Sequence, residues 1–538
     1  MTARRALASL TLAALAYSVM QMMVVPALPA IQRDLDTGPA GAAWLVSAFL
    51  LSTAVGTPLL GRLGDLHGQR RALIAVLALF ALGGLLGALA RSLPQLIAAR
   101  VLQGLGGAVF PLAYGVARSV LPPARVPVAI GAISGSFGIG GSIGLVASGP
   151  LVDGLSWHWL FWLGSALPLV AIGCVAAFVP AGREPAARRP LDRLGAVLLT
   201  GGLLALLIAV AQARAWGLAS ARLLLLAAAA PALLAAWWRW ELRLCRARER
   251  PPLIDVELLR RRAIWPANAI GVLVGFGMYV TGFLVPQLAL ADPADGDIGL
   301  GMGVSGASLV LLPALLAGLA AGTAAGELAR RRGERLPLAL GTATMALGYV
   351  VLAGAHGSPW SVALGALLTH GIGLNFALAS MANAVVAAAP SGQTGEAAGM
   401  NTMLRTVGGA FGGQCAAAVL AATALGGGAL SSRGFTLAFA LCAALLALAW
   451  ALTRALAGGA ATGGTARRDG AAAGGAARGD GAATGGAARG DGAREPGGAA
   501  RGDGARARGG RPPARPPGSS RLSTVFSFRS TVPRRSRR

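Results

Sequence analysis

Ionisable side chains are scarce in the long apolar segments of this sequence, and the few that occur there could exchange a proton or bind a charge. His370 lies within such a segment, and histidine exchanges protons near physiological pH because its reference pKa is about 6.5. A neutral ring bonded to a neighbouring helix is the alternative for His370. Glu396 comes just before another apolar segment and is the second candidate. Asp153 and Glu327 also border apolar segments, where we expect them at loop edges.

Two arginines, Arg100 and Arg405, also fall inside apolar segments. A guanidinium group in a hydrocarbon environment is costly and is functional by default. The alternative for Arg100 is a position near a helix end, from which its long side chain would reach water. However, a long, mainly apolar stretch follows it in the sequence. We therefore expect Arg100 to be buried and to face a cavity.

Uncharged polar residues in the same segments are candidates for ligand contacts. Each could instead form a hydrogen bond between helices, which contributes about 0.6 kcal/mol on average. Met20, Met22 and Met23 offer a soft surface that suits varied apolar ligands or lipid. The candidates for ligand contact are Tyr17, Gln21, Gln103, Asn268, Gln287, Asn375 and Asn383, together with Arg405.

Composition indicates which elements hold these residues. The chain is 55% hydrophobic and only 13% charged, whereas soluble domains carry about 25% charged residues. The charges are clustered, and the segments between clusters have about 18 to 30 mainly apolar residues, enough to cross a bilayer as a helix. They predict an all-α membrane protein with fourteen helices near 7–31, 44–61, 72–90, 95–117, 126–149, 159–179, 194–213, 221–240, 264–290, 303–325, 336–354, 359–389, 398–424 and 434–456.

The distribution of arginine tests this count, because cytoplasmic loops carry the excess of positive charge. With the N-terminus inside, the alternate loops on that side hold 24 arginines and the opposite loops hold 5. A missed or invented helix would have blurred this ratio. We therefore expect a protein of the plasma membrane with both termini in the cytoplasm. The net charge of +26 comes from these loops and the C-terminal segment, so it does not indicate binding to nucleic acid.

Several other classes of function lack support. The sequence has no lysine, which the phosphate-binding loop of an ATP-driven pump requires. Its four histidines form no HExxH motif and its four cysteines no CxxC motif, so neither an enzyme nor a metal or cofactor site is predicted. Nor does a filter-like segment interrupt the apolar segments to indicate an ion channel.

Residues 458–538 have a different composition, dominated by Gly, Ala, Arg and Asp in a repeat of eleven or twelve residues. Such a segment buries too little apolar surface to fold, so the sequence predicts a disordered cytoplasmic tail. Its three Arg-Gly-Asp triplets are interpreted as part of the low-complexity repeat. We also hypothesise that its arginines touch anionic lipid head groups.

A repeated loop connects the chain to a known family. Gly61 and Gly68 lie seven residues apart after the second predicted helix, and Gly326 and Gly333 repeat this spacing 265 residues later. The first loop resembles the signature G-x-L-[AG]-D-x-x-G-[RK]-[RK] of the major facilitator superfamily. The matching residues are Gly61, Leu63, Gly64, Asp65, Gly68, Arg70 and Arg71, with Gln69 at the first basic position.

The residue types in this loop have physical reasons. Glycines allow a tight turn, and Arg70 and Arg71 keep the loop in the cytoplasm. Asp65 is expected just before the third helix, where a helix N-terminus favours negative charge. The resemblance implies that the loop is a conformational gate, in which Asp65 holds two halves of the protein together in one of two alternating states. Duplicated halves are common in secondary transporters.

Further segments resemble the fourteen-helix drug:proton antiporters of this superfamily. They are Arg100 with Gln103 and Gly104, which resemble the second superfamily signature, and residues 156–162, 252–255 and 399–409. One position departs from the pattern, because Met20 stands where that family usually carries Asp in the first helix. A proton site must then lie elsewhere.

Glycines in the fifth predicted helix resemble the antiporter signature G-x8-G-x3-G-P-x2-G-G. Leu145 replaces its proline and Ser148 replaces one of its glycines. Small residues at this spacing also allow close packing of helices without any role in antiport. The matching glycines are Gly131, Gly140, Gly144 and Gly149.

The resemblance implies a major facilitator fold. Two pseudo-symmetric six-helix bundles, residues 1–180 and 263–457, would be joined by residues 181–262, which contain two extra membrane helices. It also implies proton-coupled efflux of lipophilic drugs or antibiotics by a monomer in the lipid bilayer. An importer, or an exporter of an endogenous metabolite such as an amino acid or a siderophore, is the alternative.

Overall fold

The computed structural model describes residues 2–37, 39–180, 192–217, 219–247, 252–261, 264–390, 392–425 and 430–456. Within these ranges all regular structure is helical, which confirms the all-α prediction. The segment predicted as a disordered tail, 458–538, lies outside the described residues. So does the part of the predicted linker at 181–191.

Fourteen long helices correspond to the predicted apolar segments in the described part of the chain. Short helices at Leu28–Asp34 and Val256–Arg260 precede α2 and α9. The long helices are α1 (Thr2–Met23), α2 (Pro39–His67), α3 (Gln69–Ala88), α4 (Leu93–Val120), α5 (Val126–Gly154), α6 (His158–Phe178), α7 (Arg193–Trp216), α8 (Ala221–Ala247), α9 (Trp265–Leu290), α10 (Val304–Arg332), α11 (Arg335–Gly354), α12 (Pro359–Ala388), α13 (Thr394–Ala422) and α14 (Ser432–Leu452).

Thirteen of the described helices are long and apolar enough to cross a membrane. Helix α13 is not among them, although its 29 residues would extend about 43 Å at 1.5 Å per residue. Its sequence explains this, because it contains six glycines as well as Glu396 and Arg405. Most of its first half is buried by other helices. A helix enclosed by protein needs no lipid-facing apolar surface.

Four predicted helix ends are wrong. Two of them, in α8 and α10, lie seven residues later than predicted, at Ala247 and Arg332. The segment 7–31 is not one helix, because α1 ends at Met23 and a turn leads to the short helix Leu28–Asp34. Pro26 lies in that turn, and proline has no backbone N–H to continue the hydrogen bonds of a helix. Helix α2 continues to His67 instead of ending near residue 61. Asp65 therefore lies in the last turn of α2, and Gly68, with φ of 99°, makes the turn into α3.

Glycines form the closest helix contacts of α5. A Cβ on Gly131 would collide with the backbone of Gly322 in α10, and a Cβ on Gly140 or Gly144 would collide with α1. Gly149 is buried in the same helix. The glycines that resemble the antiporter signature thus form the surface on which α1 and α10 pack.

The extra helices α7 and α8 pack against each other, and α7 also contacts α2 and α13. Apolar side chains join this pair to the segment before α9 and to α13, among them Leu199, Trp237, Ile254 and Met403. Helix α7 therefore lies beside the contact of α2 with α13, where the first six long helices meet the last six.

Candidate functional site

A cavity of about 320 Å³ lies where the first six helices meet the last six. Its walls come mainly from α1, α2, α9 and α13, and α7 closes one side with Leu207, Val210 and Ala211. The lining is mostly apolar, and both this character and the volume are typical of ligand pockets. The polar residues of the wall are Gln21, Ser47, Arg100, Tyr279, Thr406 and Gln414.

The cavity lies toward one end of the helices. Its lining residues come from the last part of α1, α7 and α9 and from the first part of α2. These are the ends that connect to the arginine-poor loops, which hold only 5 of the arginines counted above. The arginine-rich ends of the same helices are closed by contacts described below.

Gln21 connects the two groups of helices at the cavity wall. Its Nε2 donates to the hydroxyl of Tyr279, 2.8 Å away, which joins α1 to α9. The Oε1 of Gln21 is buried and has no hydrogen-bond partner among the described residues. An unpaired buried acceptor costs about 1–3 kcal/mol, so a ligand with a donor group would gain by bonding to it.

Arg100 is buried, with 1% of its side chain exposed, and it also lines the cavity. Its Nε donates to the carbonyl of Leu45 at 3.1 Å, and Nη1 donates to Oε1 of Gln103 at 3.0 Å. The guanidinium also lies 4.2 Å from the ring centroid of Phe49. Gly104 makes this approach possible, because a Cβ there would collide with the Phe49 carbonyl. Arg100 therefore does not reach water at a helix end.

Arg405 is the second buried arginine in the interior, with 9% exposure. Its guanidinium lies 5.7 Å from the ring centroid of Phe137 in α5. Tyr17 is buried and stacks on Phe49 at 5.8 Å between centroids, so it packs behind the cavity instead of lining it.

His370 lies in a separate, smaller cavity of about 40 Å³, whose walls include Met22, Phe137 and Thr281. The residue belongs to a π-helical stretch, Leu367–Gly373, within α12. Such stretches are rare and frequently occur at functional sites. The Nδ1 of His370 is buried and has no hydrogen-bond partner among the described residues.

Most of the other predicted contact residues lie away from both cavities. Asn268 accepts a hydrogen bond of 3.0 Å from Asn401, which joins α9 to α13. Asn383 donates to the Pro127 carbonyl at 3.2 Å, and Asn375 donates to backbone carbonyls of its own helix. Gln287 is half-buried and lines neither cavity. Asn268 and Asn383 thus form the helix-to-helix hydrogen bonds of the alternative interpretation, whereas the bonds of Asn375 stay within α12.

Asp65 makes the principal contact at the arginine-rich ends. Its Oδ1 accepts from the backbone N–H of Gly395 at 3.1 Å, and its Oδ2 accepts from the N–H of Glu396 at 2.8 Å. Gln69 also donates to this carboxylate. Asp65 was expected just before the N-terminus of α3. It lies instead in the last turn of α2, and its carboxylate binds the N-terminus of α13, where unpaired N–H groups and the helix dipole favour an anion.

Glu396 and Arg62 form a buried ion pair beside Asp65. The distance from Nη1 of Arg62 to Oε2 of Glu396 is 2.8 Å, and the two side chains are 8% and 1% exposed. Arg62 also donates to the carbonyl of Pro252 at 3.1 Å, and Glu396 accepts from the N–H of Asp255. Residues 252–255 are one of the segments singled out by their resemblance, and they connect α8 to this pair.

The contacts of α2 and α13 here are close. A Cβ on Gly61 would collide with the carbonyl of Gly395, and a Cβ on Gly64 would collide with Leu112. Arg70 donates to the carbonyl of Ala176 in α6 at 2.8 Å, whereas Arg71 is exposed. We call the contacts of Asp65, Arg62, Glu396 and residues 252–255 the α2–α13 latch.

The repeated loop after α10 has the same turn but different contacts. Gly333 has a φ of 79°, matching the left-handed Gly68. Glu327, however, pairs with Arg330 and Arg331 of its own helix and is exposed. Burial raises the pKa of the neighbouring Glu334 carboxyl to about 8. The internal repeat therefore reproduces the backbone turn of the first loop but not its latch.

Comparison with known proteins identifies the family. Residues 10–413 match the profile of the Major Facilitator Superfamily. The chain belongs to the major facilitator superfamily. The tetracenomycin C resistance and export protein of Streptomyces glaucescens is 30% identical over 419 residues, which are 75% of this chain and 74% of that protein. The transporter YvkA of Bacillus subtilis (strain 168), of the same superfamily, is 26% identical over 74% of this chain and 87% of its own length.

A solved structure supports the same fold. The crystal structure of the human organic anion transporter MFSD10 (TETRAN) superposes with a TM-score of 0.58, covering 84% of this chain and 99% of that one. Its sequence identity of 17% shows likeness of fold alone. Members of the major facilitator superfamily are transporters, and this chain is one of them.

Sequence reasoning did not single out three residues of the transporter that the geometry makes prominent. Arg62 was counted only among the loop arginines, yet it pairs with Glu396; its place next to Gly61 in the signature loop was the available signal. Tyr279 bonds Gln21, and Glu241 accepts hydrogen bonds from Trp237 and from the backbone of Leu253. Neither of these carried a distinguishing local pattern.

Filling the cavity from the α7 side should exclude large ligands. We expect Val210→Trp to weaken binding of bulky multi-ring compounds by about ten-fold or more. The larger side chain would fill part of the cavity, so that a bulky ligand would overpack it at a cost of about 1–3 kcal/mol. Small compounds should be affected less. Val197→Trp is the matched control, because Val197 lies on the same helix and is 67% exposed. Equal losses in both variants, measured by ligand binding to the purified chain, would contradict a role for α7 in the cavity wall.

Proposed function

We propose that this transporter is a secondary active exporter of lipophilic compounds, driven by protons, that works by alternating access. The observation that carries the proposal is the apolar cavity between the two groups of six helices, with the latch closing the opposite ends. The name of the Streptomyces glaucescens relative, which is a resistance and export protein, supports export as the direction.

The arginine distribution supports the orientation. If the arginine-rich ends lie in the cytoplasm, the α2–α13 latch closes the cytoplasmic side and the cavity belongs to an outward-facing state. Loading from the cytoplasm would then require Asp65 to leave the N-terminus of α13 and the Arg62–Glu396 pair to separate. We further propose that residues 1–180 and 263–457 are the two moving bundles and that 181–262 joins them.

Proton-driven export against a gradient needs a titratable group that takes up and releases a proton in each transport cycle. Met20 stands at the α1 position where the related antiporters usually carry an acid, so the proton must bind elsewhere. We propose His370 and Glu396 for this task. His370 is supported by its unpaired Nδ1 in the smaller cavity, and Glu396 by its place in the latch.

The test is proton movement in acid-loaded everted vesicles that contain the full chain. A pH-sensitive dye should report alkalinisation of the lumen when a transported compound is added from a panel of lipophilic cations, anions and neutral antibiotics. No response across the panel, from protein shown to be folded, would contradict proton-coupled drug export. Export or import of an endogenous metabolite would then be the better account.

His370→Asn should uncouple this movement. Asparagine keeps polarity and hydrogen bonding but cannot take up a proton, so we expect the dye response to fall by about ten-fold or more. Binding of the same compound should change little, because His370 lies outside the larger cavity. An unchanged dye response would exclude His370 as the proton carrier and leave Glu396 to be tested.

A further inference from the structure

Among the residues that the structure describes, the interior of this transporter contains two arginines without a carboxylate to balance them. Arg100 is bonded to a backbone carbonyl and an amide, and Arg405 lies against an aromatic ring. Neither forms an ion pair with any Asp or Glu that the structure describes. A buried cation without a partner is costly, so its retention inside the helix bundle calls for a reason.

No acidic residue of the sequence falls in the central part of a long helix. The acidic residues that the long helices contain are Asp65, Asp153, Glu241, Glu327 and Glu396, and each lies within two turns of a helix end. In α1 the candidate position is Met20, which is 1% exposed and packs near Gly164 of α6. The interior therefore has a net positive charge whatever the state of the latch.

The two arginines are close to one region of the cavity. Arg100 lines the larger cavity directly. Arg405 lines neither cavity. It lies against Phe137, which lines the smaller cavity, and it precedes Thr406, which lines the larger one.

The apolar part of the cavity wall indicates what the uncharged part of the ligand should be. Beyond the few polar groups, the cavity is surrounded by aliphatic and aromatic side chains such as Leu50, Leu207 and Phe283. A purely inorganic anion would leave this apolar surface exposed to water. A ligand with an apolar body and one anionic group would satisfy the arginines and the apolar wall together.

We infer that the cavity binds lipophilic anions: compounds with an aromatic or aliphatic body and a carboxylate, sulfonate or phenolate group bound by Arg100 at the cavity wall, with the charge of Arg405 behind that wall. This inference rests on the proposed export function and makes its substrate class specific. It also explains why position 20 carries methionine and not an acidic residue. A carboxylate at that position would repel such a ligand and neutralise the arginines that attract it.

Three ligands with one body and different charge test the inference. They are 1-pyrenesulfonate, 1-pyrenemethanol and (1-pyrenylmethyl)trimethylammonium, with binding measured to the full chain in lipid nanodiscs against protein-free nanodiscs. We expect the sulfonate to bind about ten-fold or more tightly than the ammonium compound. Equal or tighter binding of the ammonium compound would overturn the inference, and this comparison needs no variant.

Substitutions of Arg100 and Arg405 test whether these two residues supply the positive charge that attracts the sulfonate. Arg405→Gln and Arg100→Gln should each lower the affinity for the sulfonate about ten-fold and leave that for pyrenemethanol within two-fold, whereas Arg405→Lys should retain most of the sulfonate affinity. Arg222→Gln is the control, because Arg222 is exposed at the start of α8. Unchanged sulfonate affinity in both glutamine variants would overturn the assignment.

Efflux in everted vesicles separates this inference from the proposed function. Transport of the neutral or cationic compound without preference for the sulfonate would refute the anion site and leave export standing. Lack of transport of all three compounds by folded protein would contradict both.

Discussion

Replacing Asp65 with Asn is expected to lower the initial rate of efflux by about ten-fold or more. The Asp65 carboxylate accepts from two consecutive N–H groups at the start of α13, one with each oxygen. An Asn side chain has one oxygen and an NH2 group that would face the second N–H as donor to donor. It also loses the negative charge that the positive end of α13 favours. The measurement is the dye-monitored rate in everted vesicles at matched protein levels.

The internal repeat provides a matched control for this substitution. Glu327 lies near the end of α10, just before the corresponding loop, and its side chain is 35% exposed; among its described contacts it pairs only with Arg330 and Arg331 of the same helix. Glu327→Gln should therefore leave the rate within about two-fold, because exposed ion pairs contribute little. If both variants lost transport to the same degree, the latch would not be the reason for the effect of Asp65→Asn.

Breaking the Arg62–Glu396 pair from one side is expected to destabilise the protein strongly. Arg62→Leu or Glu396→Leu would each leave the other charge buried without its partner, a change that typically costs about 3–5 kcal/mol. The double variant removes both charges and should recover a large part of this loss. Thermal unfolding of the purified chain in detergent, followed across the four proteins of the cycle, measures the coupling.

The exposed pair of Glu327 and Arg331 is the control for this cycle. The corresponding leucine variants should change the unfolding temperature little, since both groups keep their contact with water. Additive losses at Arg62 and Glu396, with no recovery in the double variant, would show that the two side chains do not act as a pair. The double variant should also bind lipophilic compounds, because neither residue lines the cavity.

Much of the fold could be predicted from local features of the sequence. A helix that crosses a bilayer must satisfy its own backbone hydrogen bonds and expose apolar side chains, so its segment is visible as an apolar run. Alternate loops carry most of the arginines, because the loops on the cytoplasmic side of a membrane hold the excess of positively charged residues. These rules act within about twenty residues, which is why the number of helices was correct. Helix α13 was predicted as well, at 398–424, although it is not apolar enough to count as a candidate span and most of its first half is enclosed by protein.

Parts of the candidate site were predictable for a similar reason. Arg100 was expected to be buried at a cavity, and Gln21 to contact ligand; the structure places both in the cavity wall. A polar side chain in an apolar segment is conspicuous in sequence. The sequence does not show whether such a side chain faces a cavity or a neighbouring helix. Asn268 and Asn383 bond to neighbouring helices.

The sequence by itself determined the helices, the family and the loop turns at Gly68 and Gly333. Only the tertiary structure decided which residues meet. Asp65 joins the N-terminus of α13, 330 residues away, and Arg62 joins Glu396. The physical reason is that these contacts depend on how two separate groups of helices pack, and no local periodicity records that packing. The same packing left Arg100 and Arg405 without an acid beside them.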